Sequence, residues 1–345
     1  MSRDPFRNLN QYKIDPLSEI RNAGIITNGD VYWVSSSSDS KHRDRTDLLG
    51  RGVVKTSLQA GIDAAKNDNN DYVLVIPTDS GTVRPLSEGV NVNKRRVHIL
   101  GVGNKPTPMG YDGLTFEGFA TTSTVDTELV NITSAGVEIG GLKFLGTSGT
   151  SANGTITAYM RIGTASTGTP HDLWIHDVHV ENTQAAAAGG TAPLVSISGN
   201  VAGGIKGITI EDSWIGNWNW APSAVLVTAG TAGPTRMTLK RNTFVIDAQA
   251  TTDDFIVLGT GATEFTLLEG NRYINVEAGT APASAITGAL LVDNPVFSVD
   301  ERAINVTAIG TDTELLVSPI QAGTAGAGMH NPGIGIVGTA PIPAA

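Results

Sequence analysis

Six eight-residue stretches share one arrangement of apolar positions, and that arrangement limits the fold more than any other feature of the chain. They are VEIGGLKF from Val137, LWIHDVHV from Leu173, ITIEDSWI from Ile208, MTLKRNTF from Met237, TLLEGNRY from Thr266 and LLVDNPVF from Leu290. Their starts lie 36, 35, 29, 29 and 24 residues apart, and VHILGVG at Val97 reads as an earlier copy 40 residues before the first. The third position is always aliphatic: Ile139, Ile175, Ile210, Leu239, Leu268 and Val292. The eighth is apolar or aromatic: Phe144, Val180, Ile215, Phe244, Tyr273 and Phe297. A second short apolar strand precedes most blocks, as in LVNI, AYMRI, LVSIS, AVLVT and DFIVL. Short strands returning at a period of this size, with variable loops and no helices between them, are the signature of a solenoid. Two or three strands per period make a parallel β-helix, whose coils stack ~4.8 Å apart and whose inward columns form one continuous core. The rival is a β-sandwich. A sandwich gives no reason for the same columns to return six times.

Composition agrees with many short strands. Charged residues are 16%, aromatics 6%, and there are 41 glycines in 345 residues. The net charge of −10 without a basic stripe argues against a nucleic-acid partner. No cysteine is present, which removes disulfides and thiolate chemistry. The start, MSRDPFRNLNQYKID, lacks the apolar run of a signal peptide, and nothing matches a membrane helix of ~20 apolar residues. The expected setting is synthesis in a cytoplasm without a signal peptide, and no membrane.

Four zones follow. Residues 1–50 are polar and irregular and read as an extended N-terminal arm, with a short strand at Val31–Val34. Residues 51–310 form the β-helix body. It opens with a capping helix near 57–66, where Leu58, Ile62 and Ala65 share a face and Thr56 or Ser57 serves as N-cap. YVLVIP follows as a buried strand. Residues 311–345, rich in Gly, Ala and Pro, cannot build a core alone and read as a C-terminal arm.

TSLQAGIDAAKNDNNDYVLVIP, then VNVNKRRVHILGVG, then AGVEIGGLKFLG, together resemble the entry into right-handed, pectate-lyase-like β-helix proteins. The resemblance covers roughly residues 53–300. It implies an all-β fold, a single-stranded right-handed parallel β-helix with an N-terminal capping helix and extended terminal arms. Many such chains resemble tailed-bacteriophage virion proteins. On that basis the expected function is structural and non-catalytic: a capsid-associated or decoration protein on the virion surface. Its expected partners are further copies of itself, as a trimer, the major capsid protein, and a host surface glycan. No cofactor is expected. The alternatives are a tailspike-like polysaccharide lyase or hydrolase, and a glycan-binding adhesin without turnover.

The candidate residues carry the same division. Glu211 shares a column with Gly140, His176, Lys240 and Glu269; Asp212 shares one with Gly141, Asp177, Arg241 and Gly270. Stacked on adjacent coils, Asp177 and Asp212 would lie ~5 Å apart, the carboxyl spacing of a retaining glycosidase. With Glu211 they form the catalytic set if the chain is an enzyme. The competing reading is a charge ladder, Glu211 beside Lys240 and Asp212 beside Arg241, each pair contributing ~0.2–1 kcal/mol. The alternating signs favour the ladder. Trp214, Trp218 and Trp220 are candidates for a protein interface or a sugar platform. Asn242 and Asn271 align in a turn column, where stacked amides satisfy backbone groups. No metal is expected: His171, His176 and His179 point in different directions and no cysteine or dense carboxylate cluster completes a set, while a calcium site at Asp177 and Asp212 is a minor alternative, since that cation favours several oxygen ligands. GVGNKP at 101–106 lacks the Lys-Ser/Thr of a phosphate loop.

Overall fold

The computed structural model describes residues 29–35, 42–50, 52–76, 89–102, 115–119, 129–147, 158–163, 170–182, 194–198, 205–217, 225–228, 236–246, 255–258, 266–275, 286–288, 296–299 and 302–305. Three parallel sheets run the length of this body. Sheet A holds β1 (Val31–Val34), β2 (Val54–Lys55), β3 (Asp71–Val75), β5 (Val97–Gly101), β8 (Glu138–Gly140), β11 (His171–His176), β14 (Lys206–Glu211), β17 (Met237–Lys240), β20 (Thr266–Glu269) and β23 (Val296–Val299). Sheet B holds β6 (Thr115–Phe119), β9 (Lys143–Thr147), β12 (His179–Asn182), β15 (Trp214–Asn217), β18 (Thr243–Ile246), β21 (Arg272–Asn275) and β24 (Arg302–Asn305). Sheet C holds β4 (Val90–Val92), β7 (Val130–Ile132), β10 (Met160–Ile162), β13 (Val195–Ser198), β16 (Val225–Thr228), β19 (Ile256–Leu258) and β22 (Ile286–Gly288).

From β5 onward the chain visits A, B and C in strict rotation, and each strand pairs in parallel with its counterparts one coil before and one coil after. That topology is a parallel β-helix. A β-sandwich of antiparallel hairpins is excluded, because every strand pair among the described residues is parallel.

The columns read from the sequence are the inward rows of these sheets. Ile99, Ile139, Ile175, Ile210 and Leu239 pair in register along sheet A, each at most 1% exposed. Phe144, Val180, Ile215, Phe244 and Tyr273 do the same along sheet B. Within that row the Phe244 and Tyr273 rings stack at 5.5 Å, and Phe255 from the start of β19 meets Tyr273 edge-on at 5.3 Å. The interior is filled by aliphatic branches and these rings, and one continuous core cluster runs from Val34 to Tyr273.

The sixth block departs from the sequence alignment. Leu268 pairs with Ser298 and Tyr273 with Ala303, so the repeat starts at Val296, 30 residues after Thr266, and not at Leu290. Val292 lies outside the described residues, and Phe297 pairs with Leu267 rather than taking the eighth position. The period is then nearly constant over the last three coils.

The N-terminal end is closed by helix α2 (Leu58–Ala64). Ser57 is its N-cap and accepts a hydrogen bond from the Ala60 N–H at 3.1 Å. Leu58, Ile62 and Ala65 face the core and are 2% exposed or less. The strand expected at Val31–Val34 is present, and it lies inside sheet A between β2 and β3. Residues 42–49, placed in the polar arm by sequence, form helix α1 (His42–Leu49). Its Arg45 is buried and donates to the Ser35 hydroxyl at 3.2 Å, while Leu49 joins Trp33, Val54, Tyr72 and Leu74 in a second apolar cluster. The described part of the first fifty residues therefore belongs to the body. Residues 306–345 lie outside the described residues.

Candidate functional site

Five successive sheet A strands, β8, β11, β14, β17 and β20, turn into sheet B through a two-residue corner. The first corner residue is Gly141, Asp177, Asp212, Arg241 or Gly270, and all five have positive φ, between 51° and 67°. This left-handed conformation is open to Gly and tolerated by Asp, but it is costly for a long side chain such as Arg. The column that sequence marked as a charge ladder is therefore also the column of left-handed corners, and Arg241 is its strained member.

The second corner residue is buried at all five, and at the last three, Ser213, Asn242 and Asn271, its polar side chain bonds the backbone of the turn. Asn242 and Asn271 are fully buried. The Asn271 side-chain oxygen accepts from the Asn242 N–H at 2.9 Å and from its amide nitrogen at 3.1 Å. Their amide nitrogens donate to the carbonyls of Ile210 and Leu239, both at 2.8 Å. Ser213 continues the column: its N–H donates to the Asn242 side-chain oxygen at 3.1 Å, and its hydroxyl accepts from the Val178 N–H at 3.2 Å.

On the outer face of the corner the acidic pair is held by one cation. Arg241 reaches back one coil, placing Nε 2.7 Å from Asp212 Oδ1 and Nη2 on Asp212 Oδ2 and, at 3.0 Å, on Glu211 Oε2. The hydrogen bonds to Asp212, then the charges of Asp212 and Glu211, raise the Arg241 pKa against the opposing effect of desolvation. The expected pairing of Glu211 with Lys240 is replaced. Those residues are register partners, but the Lys240 ammonium turns to the next coil and meets Glu269 Oε2 at 3.0 Å. The fork of Arg241 already satisfies Glu211, so the more exposed Glu269 is the better partner for a flexible ammonium. Asp177 stands one coil from Asp212 in the same column, bonded to His176 Nδ1 at 3.1 Å.

A cluster not singled out from sequence lies beside this ladder. Glu138 is gripped between two imidazoles: His98 Nδ1 from the coil before bonds its Oε2, and His176 Nε2 from the coil after bonds its Oε1 at 3.0 Å. Tyr72 stacks on His98 at 4.3 Å, and Trp174 covers His176 at 4.2 Å. The His176 ring lies across Gly140, its register partner, where a Cβ would stand 2.7 Å from Nε2. Only glycine leaves the ring room to reach Glu138. Burial pushes the Glu138 carboxyl up, but the hydrogen bonds from His176 and His98 and their charges outweigh it and hold the pKa at about 2. His176 is shifted upward: burial opposes its charge, and Glu138 and Asp177 favour it more.

Trp174 is the one tryptophan among the described residues that is plainly exposed, at 44%. Its indole N–H donates to Glu211 Oε1 at 2.7 Å, which fixes the ring against the wall. Trp214 is half-buried, lies 6.0 Å from the His179 ring, and folds over Gly216. Trp218 and Trp220 lie outside the described residues. Of the three histidines weighed as ligands, His171 bonds Asp172, His176 bonds Glu138 and Asp177, and His179 is buried beside Trp214. Among the described residues no group of three acidic or histidine side chains is arranged to hold a metal ion.

No family model and no curated protein matches the chain. Solved structures similar to it in fold include two polysaccharide-related proteins. A pectin methylesterase from Aspergillus niger is 11% identical, with a TM-score of 0.40 over 86% of this chain and 91% of its own. An alginate lyase from Paenibacillus sp. is 14% identical, with a TM-score of 0.31 over 71% of this chain and 92% of its own. Likenesses at this level say nothing about activity here.

Proposed function

We propose that this chain is a non-catalytic structural β-helix, a rigid rod on the surface of a tailed-bacteriophage virion, most closely a capsid-associated or decoration protein. One observation supports the structural half of this reading: the Arg241 guanidinium occupies both carboxylates of the acidic pair across a coil boundary. A nucleophile or general base needs an accessible lone pair, and a general acid needs its own proton; a forked guanidinium occupies those positions. Asp177 is likewise bonded to His176. The virion half rests on the resemblance of TSLQAGIDAAKNDNNDYVLVIP and the coils after it, and with it come the proposed partners: copies of the same chain as a trimer, and the major capsid protein.

The test pairs two measurements on the purified full chain. A panel of neutral and acidic polysaccharides is assayed for new reducing ends and for unsaturated uronate, and the oligomeric state is read by light scattering. A stable oligomer without turnover is the expected result. Turnover that disappears in Asp177→Asn or Asp212→Asn would overturn the proposal and install the polysaccharide lyase or hydrolase. A second reading, the adhesin, has one observation of its own: the exposed and immobilised Trp174. Glycan binding without turnover, lost in Trp174→Ala, would select it.

A further inference from the structure

We propose that His98, Glu138 and His176 form a pH-sensitive clamp that ties three consecutive coils together in mildly acidic solution and loosens as His176 loses its proton. The geometry carries the inference. The three residues come from β5, β8 and β11, and the carboxylate gives one oxygen to each ring. All three side chains are mostly shielded, at 15–22% exposed, so water does little to screen the charges. Aromatic lids close the cluster at both ends, Tyr72 over His98 and Trp174 against His176.

The groups facing the clamp are few enough to assign. From β3 comes the Tyr72 phenol, whose pKa is raised by burial and by Glu138, so it is neutral throughout the range of interest. From the β11 corner comes Asp177, on the second nitrogen of His176. From β14 comes Glu211, which ties down the Trp174 lid and is itself held by Arg241. Asp177 and Glu138 act in the same direction, favouring the charged imidazole.

The two shifts set a window. His176 titrates higher in the folded chain than the usual 6.5, so its stabilisation is complete below that value and is lost as pH climbs through the folded pKa. Glu138 titrates at about 2 rather than 4.5, so its stabilisation is present above 4.5 and is lost as pH falls toward 2. The clamp is therefore tightest between these limits, on the acid side of neutrality. The neutral His176 ring keeps one N–H to donate, so its deprotonation weakens the grip without removing it.

Two measurements on the full chain test this. The urea midpoint of unfolding is followed from about pH 5 to about pH 9, a range that brackets the imidazole titration, for the wild type, Glu138→Gln and His176→Gln. The wild type should lose resistance to urea as pH rises, and each variant should lose at least half of that dependence. In parallel, the ring signals of His176 are titrated by NMR in the wild type and in Asp177→Asn; its pKa should lie above that of a free histidine and fall in the variant. A flat wild-type profile, an unchanged dependence in Glu138→Gln, or a His176 pKa at or below the free value would each overturn the proposal. The NMR titration decides even if both Gln variants fail to fold.

Discussion

Replacing Asn242 by alanine tests whether the buried amide column carries the stability of the corners. The side chain is fully buried and makes three bonds outside its own backbone: from the Ser213 N–H, to the Ile210 carbonyl and to the Asn271 oxygen. Alanine removes all three. The Asn271 oxygen keeps the Asn242 N–H as donor, so it stays satisfied. The Ser213 N–H and the Ile210 carbonyl lose these side-chain partners in a dry corner. A buried polar group left without its bond costs ~1–3 kcal/mol, so two of them place the loss at roughly 2–6 kcal/mol. Urea denaturation of Asn242→Ala against the wild type measures it, with an unchanged m-value showing that the unfolded reference has not moved. Thr238→Ala, on the outer face of neighbouring β17, is the control and should stay within ~0.5 kcal/mol. A loss below ~1 kcal/mol for Asn242→Ala at constant m would refute the reasoning, because the corner would then be satisfied without the amide.

Three further outcomes follow from the packing. Phe244→Ala, which empties a fully buried ring site against Tyr273, should cost ~3–5 kcal/mol by the same assay. Gly61→Ala places a Cβ 2.7 Å from Val73 Cγ1 and 2.9 Å from Val34 Cγ2, so the capping helix must shift; a loss of ~1–3 kcal/mol is expected, read as a lower thermal midpoint. Arg241→Ala breaks an exposed pair of contacts and should cost at most ~1 kcal/mol, shrinking further in high salt, because such pairs are screened.

The core was legible in the sequence and the outer wall much less so. Inward positions are filled by apolar residues at a fixed offset, and so Ile139, Ile175 and Ile210 announce one another across gaps of 36 and 35 residues. The same rule misplaced the last block. LLVDNPVF offers Val292 and Phe297 at the expected positions, whereas the paired stretch offers the smaller Ser298 and Ala303. Apolar matching prefers the larger residues, and only the hydrogen-bond register corrects it. The Glu138 clamp was hidden for a different reason. Its three members occupy the second position of two repeat blocks and the fourth of another, so no single column contains them. What joins them is a missing side chain at Gly140, and a vacancy has no signature in a charge pattern. Helix α1 was lost among serines and charges, since its contribution is one buried arginine and one leucine rather than an apolar stripe.

The rotation through three sheets has a consequence for how such a molecule can change over generations. A coil such as residues 237–265 begins at Met237 and hands on to Thr266 in the same register in which it was received from Ile208. Its upper and lower faces are interchangeable at the backbone level. Duplicating that stretch in frame would set one more strand in each sheet and lengthen the rod by a single strand spacing, ~4.8 Å. Length is thus a quantity the gene can alter in discrete steps, with the ends of the molecule left untouched.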